Sequence, residues 1–159
     1  MEGKRSADSS VVLAQFMQPD HANHLGNVHG GWIMKLIDEA GGLVAIRHAR
    51  RPSVTVAIDS LQFHSPVHVS DLVTLMARLD YVGRTSMEVE VQVEAEDILS
   101  GQKTHTNSAY VVYVALDETG HPVEVPPLKL ETDEEVVRFD QGKRRQADRL
   151  ARAKRESDQ

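Results

Sequence analysis

Residues 23–42 constrain this chain more than any other stretch. Asn23-His24-Leu25-Gly26-Asn27-Val28-His29-Gly30-Gly31 is a polar, glycine-rich turn. It runs straight into Trp32-Ile33-Met34-Lys35-Leu36-Ile37-Asp38-Glu39-Ala40-Gly41-Gly42. Positions 32, 33, 36, 37, 40, 43, 44 and 46 are apolar or Ala. Positions 34, 41, 42 and 45, which share a face with Asp38, are Met, Gly, Gly and Ala. Only Lys35 and Glu39 suit water. A helix that is apolar nearly all round must be wrapped by other structure. The pattern predicts a helix over about 30–48, ending in Arg47 and His48, cations that suit the negative end of its dipole.

Asp38 is the anomaly in that helix. A carboxylate among apolar neighbours loses hydration, which favours its neutral form and makes it a better base than a surface Asp. The helix start upstream offers unpaired backbone N–H groups, a place for a developing negative charge. A base and an oxyanion site are two of the parts that acyl transfer needs. Eight residues separate Gly30 from Asp38, about 12 Å along a helix, whereas hydrogen-bond reach is about 3 Å. One chain cannot easily bring both to one carbonyl. Across a two-fold interface, the start of one helix can face the middle of the other.

The remaining pattern is that of one α+β domain. Strands are expected at Ser9 to Met17, Val54 to Phe63, Leu72 to Val82, Met87 to Glu96 and Thr104 to Leu116. The apolar phase changes near Ser60, which predicts a bulge or bend there. Met87 to Glu96 alternates without fault, one face apolar and one acidic, and the acidic face is expected in solvent. Thr104 to Leu116 is the most continuously apolar strand and is expected at the centre of the sheet. Thr132-Asp133-Glu134-Glu135 reads as a capping box, opening a charged surface helix to about Arg155. One sheet cannot cover every side of the long helix. A second copy of the chain is the economical cover.

Composition excludes several classes. With no cysteine there is no thiol nucleophile and no disulfide. A net charge of −6 and few aromatic residues argue against nucleic-acid partners. Residues 1–10 are charged and carry no secretory pattern, and no apolar run approaches the roughly 20 residues that span a bilayer. The expectation is a cytoplasmic protein with no membrane partner. G-x-S-x-G, H-E-x-x-H and phosphate-binding glycine loops are absent. His21, His24 and His29 have no standard metal spacing, so no metal is expected.

Pro19-Asp20-His21-Ala22-Asn23, Gly26-Asn27-Val28-His29-Gly30-Gly31 and Lys35-Leu36-Ile37-Asp38-Glu39-Ala40-Gly41 together resemble the hot-dog-fold acyl-CoA thioesterases. The cytosolic, brain-type acyl-CoA hydrolases and their small single-unit bacterial relatives are the nearest group. The likeness continues through Asn107 and Tyr113-Val114-Ala115-Leu116 to Val125-Pro126-Pro127. It implies a hot-dog fold, an antiparallel sheet wrapped round the long helix, over residues 8–128, with a charged helical tail at 129–159. It implies hydrolysis of acyl-CoA to a fatty acid and free CoA, with no cofactor beyond the CoA of the substrate. Asp38 falls on the family's general base or nucleophile and Asn23 on its catalytic Asn, with Asn27 as the nearby competitor. Gly31, with Gly30, would supply oxyanion N–H groups. The CoA-contacting turn falls on Gly83-Arg84-Thr85-Ser86, and His29, Gly30 and Phe63 complete the expected substrate contacts. The partner is a second copy, with a dimer as the site-forming unit and a trimer of dimers, a homohexamer, as the expected assembly.

Two rival readings use the same fold. A hot-dog dehydratase acting on an acyl thioester would want a catalytic His in the cleft, for which His29 is the candidate. A non-catalytic CoA-binding regulator would have no use for a desolvated carboxylate beside an anionic ligand.

Overall fold

The structure, a computed structural model of the chain, describes every residue except Ser60 and Phe63, and Thr106 and Asn107 through their backbone alone. The main strands are β2 (Val11–Phe16), β3 (Ser53–Asp59), β4 (Asp71–Val82), β5 (Ser86–Asp97) and β6 (Lys103–Ala115). They pair antiparallel in the order β2-β4-β5-β6-β3. The helix α1 (Gly30–Ala49) packs across one face of this sheet. The two-residue strands β1 (Lys4–Arg5) and β7 (Leu128–Lys129) pair in parallel. The C-terminal helix α2 (Asp133–Ser157) packs on β4. Sheet round helix, with a second helix outside, is the hot-dog arrangement.

Alternation decides which face α1 meets. Val73, Leu75, Ala77 and Leu79 of β4, with Val89, Val91 and Val93 of β5, point at Ile33, Leu36, Ile37, Ala40 and Val44 of α1. Each fully buried Leu or Ile contributes about 1.5–3 kcal/mol, so this seam dominates stability. Met34, Leu43 and Ile46 stay exposed on the far side of α1, as do Val54 and Val56 on the edge strand β3. That is the apolar surface for which the sequence demanded another cover. Among the described residues no helix is long and apolar enough to cross a membrane.

Several sequence expectations need correction. A register shift lies at Thr55/Ala57, and Ser60, near which the bulge is expected, is outside the described residues. The middle strand is β5; β6 stands between it and the edge strand β3. His48 is buried and its Nε2 lies 2.7 Å from the carbonyl of Pro126. Burial lowers its pKa, so it stands in the last turn of α1 as a neutral ring rather than a cation.

The acidic face of β5 is not wholly in solvent. Glu88 is 1% exposed, and Glu90 is buried too. α2 supplies the reason. Arg145 donates to Glu88 at 2.6 Å, and Arg149 bonds both Glu88 and Asp59. A buried carboxylate without such partners would cost several kcal/mol. Gly142 lets the helix approach, since a Cβ there would lie 2.6 Å from the Cβ of Tyr81. Phe139 packs on Tyr81, with ring centroids 5.0 Å apart. The capping box at α2 is half-formed: Thr132 Oγ1 accepts from the Glu135 N–H at 3.1 Å, but the Glu135 carboxylate accepts from Glu131 instead of Thr132.

Candidate active site

The loop before α1 is closed by Asn23. Its Oδ1 accepts from the N–H groups of Leu25 (2.9 Å) and Asn27 (3.2 Å). Its own N–H donates to the carbonyl of Asn27 at 2.6 Å. Gly26 sits at φ +84, the left-handed region that glycine enters without strain. Because Oδ1 is engaged, Nδ2 is the free end of the amide; it makes no hydrogen bond among the described residues. Asn23 and Asn27 line one cleft with Gly30, Ile33, His64 and Val67.

His21 fixes this loop to the helix. Its ring stacks on Trp32 at 4.1 Å between centroids, and its Nδ1 accepts from the Gln18 N–H at 3.0 Å. Trp32 Nε1 in turn donates to Gln15 on β2 at 2.8 Å. His21 is therefore a structural residue. No group of three or more potential metal ligands occurs among the described residues.

The start of α1 has no side-chain cap and no acidic residue in its first turn. Among the described residues the N–H groups of Gly30 and Gly31 donate to nothing. A Cβ on Gly31 would meet no atom within 4 Å, so its space opens outward from the chain. The positive end of the helix dipole is left uncompensated at the rim of the Asn23 cleft. His29 is the exposed cap residue, and its ring makes no hydrogen bond among the described residues. The base of the dehydratase reading would be this ring, and among the described residues no carboxylate pairs with it.

Asp38 lies two helical turns further on, half-buried. Thr55 Oγ1 donates to its Oδ1 at 2.6 Å. The hydroxyl of Tyr113 lies 3.2 Å from the same Oδ1 and 2.9 Å from the Asp38 carbonyl. Oδ2 accepts no hydrogen bond among the described residues. Burial, then the Asp38 charge, push the Tyr113 phenol far above its ordinary pKa, so it stays a neutral donor. The bulge at Thr55/Ala57 falls beside Thr55, and bulges re-aim side chains next to functional groups. The sequence assigns no site role to Thr55 or to Tyr113, which enters only as part of the family likeness. The usable signal was the pair Gly41-Gly42 on the Asp38 face, a notch that some bulky side chain had to fill.

Within one chain the Asn23 cleft and Asp38 do not meet. Asp38 is absent from the residues lining that cleft. The bonding partners of Asp38 belong to the row Thr55–Tyr113–Met87, near the β4–β5 turn. The Asn23 loop joins the other end of β4, through Val28 to Val67 and Asn27 to His68. The turn Gly83-Arg84-Thr85-Ser86 is at the Asp38 end. Its Gly83 N–H donates to the Ser86 carbonyl at 2.8 Å, and the carbonyl of Arg84 accepts from Val125. The Arg84 side chain is 76% exposed, and among the described residues it pairs with Glu124 alone, at 3.9 Å. Phe63 lies outside the described residues.

The chain is similar to proteins of known family. Residues 25–101 match the Thioesterase superfamily model. The chain is 37% identical over 139 residues to the cytosolic acyl coenzyme A thioester hydrolase of Rattus norvegicus, covering 86% of this chain and 36% of that protein. It thus spans about a third of that relative's length. An apo-hexameric acyl-CoA thioesterase superposes with TM-score 0.90 at 35% identity, over 96% of this chain and 98% of the other. The acyl-CoA hydrolase of Staphylococcus aureus, in complex with butyryl coenzyme A, coenzyme A and coenzyme A disulfide, superposes with TM-score 0.88 at 31% identity, over 98% and 94%. That enzyme has also been solved with single aspartate, asparagine and threonine residues replaced by alanine. The chain belongs to the hot-dog thioesterase superfamily, and within it to the acyl-CoA thioester hydrolases.

Proposed function

We propose that this chain hydrolyses acyl-CoA thioesters to free CoA and a carboxylic acid, with Asp38 as the general base. The observation that carries the reading is the Asp38 carboxylate, fixed at Oδ1 by two hydroxyls with Oδ2 open. The asparagine, aspartate and threonine replaced in the Staphylococcus aureus enzyme stand at the same separations along the chain as Asn23, Asp38 and Thr55. Oδ2 takes a proton from water while the water oxygen bonds to the thioester carbonyl carbon. The carbonyl oxygen becomes an oxyanion, held by the Gly30 and Gly31 N–H groups and the Asn23 amide of a second copy. Collapse breaks the C–S bond, and the proton on Asp38 passes to the leaving thiolate.

The second copy follows from the separation of the two half-sites. Exposed Met34, Leu43, Ile46, Val54 and Val56 form the surface for it. Each dimer would hold two sites, and three dimers would make the hexamer that relatives form. Arg84, Thr85 and Ser86 would meet the phosphates of CoA. No cofactor enters this scheme, and we place the enzyme in the cytoplasm, as with its cytosolic relative. Thiol release from CoA esters of graded acyl length tests the activity and gives the chain-length preference. No release from any ester would refute it.

A further inference from the structure

Tyr113 is the largest fully buried side chain, at 1% exposure, and its hydroxyl ends in the active-site helix. A tyrosine so buried needs a partner for its O–H. Here the partner is doubled: one phenol oxygen stands within 2.9 Å of the Asp38 carbonyl and 3.2 Å of Oδ1. Main chain and side chain of the same residue are thus tied to one point. Together with the 2.6 Å bond from Thr55, this restricts the Asp38 side-chain torsion from two directions.

Gly41 makes this contact possible. A Cβ at position 41 would stand 2.5 Å from the Tyr113 hydroxyl and 3.1 Å from two of its ring carbons. Real Cβ atoms do not approach so closely, so any larger residue would push the hydroxyl away from Asp38. Gly42 is in ordinary contact with the same ring, 3.7 Å from a built Cβ. Glycine inside a helix costs about 1 kcal/mol relative to Ala. Two adjacent glycines in α1 therefore oppose helix stability, and the passage they leave for Tyr113 offsets that cost. Thr55 on β3, Tyr113 on β6 and Gly41 on α1 form one bracket across three elements.

Resting on the reading of Asp38 as the base, we propose that Tyr113, seated in the Gly41 notch, is a positioning residue that holds Asp38 so that Oδ2 faces the attacking water. Tyr113 is buried, at 1% exposure, and acts through Asp38. Its effect is transmitted through the orientation of the carboxylate and through donation to its charged form.

Three variants test this: Tyr113→Phe, Gly41→Ala and Asp38→Asn, each checked for fold by circular dichroism and thermal melting. Tyr113→Phe keeps the ring and loses the hydroxyl; Gly41→Ala keeps the hydroxyl and displaces it. Both should lower kcat about tenfold or more, with KM for CoA esters nearly unchanged, because only the base is misplaced. A tyrosine that only packs would leave kcat of the folded Tyr113→Phe chain unchanged. If folded Tyr113→Phe and Gly41→Ala both keep kcat while Asp38→Asn is inactive, Tyr113 only packs and the proposal is overturned. If Asp38→Asn itself retains turnover, the base reading falls first and takes this one with it.

Discussion

Thr55 Oγ1 stands 2.6 Å from Asp38 Oδ1, joining the edge strand to the middle of the central helix. The bond spends one carboxylate oxygen on orientation and leaves the other for chemistry. Asp38→Asn is similar in shape but cannot accept a proton from water. It should lower turnover on the order of a hundredfold or more without loss of fold. Thr55→Val should cost about tenfold in kcat, and Thr55→Ser should restore most of it. Steady-state thiol release on each purified variant checks the series. Near-native turnover in a folded Asp38→Asn chain would end the assignment.

The separation of Asn23 from Asp38 within one chain gives a prediction about assembly. Asn23→Ala and Asp38→Asn chains should each be inactive as homo-oligomers. Co-expressed with different affinity tags and purified through both, they should regain activity, because a mixed dimer carries one intact site and one doubly damaged site. Activity near half that of wild type per mixed dimer is expected. A verified mixed dimer without activity would mean that each site is built inside one chain.

Much of this arrangement was legible in the sequence. The extent of α1 follows from its apolar run and the glycine-rich turn before it. The alternating strands followed from period two, as in Met87 to Glu96. Burial of Glu88 was not legible, because its partner Arg145 lies 57 residues away on a helix that reads as solvated. A charge alternating with valines looks the same on a wet face as under a roof of arginines. The roles of Thr55 and Tyr113 were hidden for a related reason. Each is an ordinary strand residue until the bulge at Thr55/Ala57 and the Gly41 notch bring it to Asp38. Local pattern fixes elements; long-range pairing decides which side chains they deliver.

Arg84 offers a separable test of CoA recognition. Among the described residues its one ion-pair partner is Glu124, at 3.9 Å and largely exposed, so its guanidinium is available to a ligand. A surface pair of that kind contributes about 0–1 kcal/mol, too little to hold the side chain back. Arg84→Ala should raise KM for CoA esters several-fold with a smaller change in kcat, since the phosphates lie far from the reacting carbonyl. The effect should shrink at high salt and nearly vanish for a short thioester without the nucleotide. Equal losses on both substrates would show that Arg84 supports the turn rather than the ligand.

Asp80 makes stability depend on pH. It is 2% exposed on β4, and neither carboxylate oxygen has a hydrogen-bond partner in the described structure. Arg78 on its own strand and Arg138 and Arg145 on α2 stand 3.6–3.8 Å away, with Glu88 and Glu90 of β5 beside them. Burial first, and then the Glu90 carboxylate, push Asp80 well above the usual carboxylate range. The folded chain therefore keeps a proton that the unfolded chain has already released above about pH 4. Where the native state binds more protons, stability falls as pH rises. The Asp80 contribution is thus fully favourable below the ordinary carboxylate pKa and is lost as pH climbs through the raised one. Asp80→Asn carries no titrating proton, so it removes this slope while keeping the shape of the side chain. Melting temperatures of wild type and Asp80→Asn, measured from pH 5 to 9, should diverge in favour of the variant as pH increases. Parallel curves would mean that the three arginines hold Asp80 ionised throughout, and that the proton resides elsewhere in the cluster.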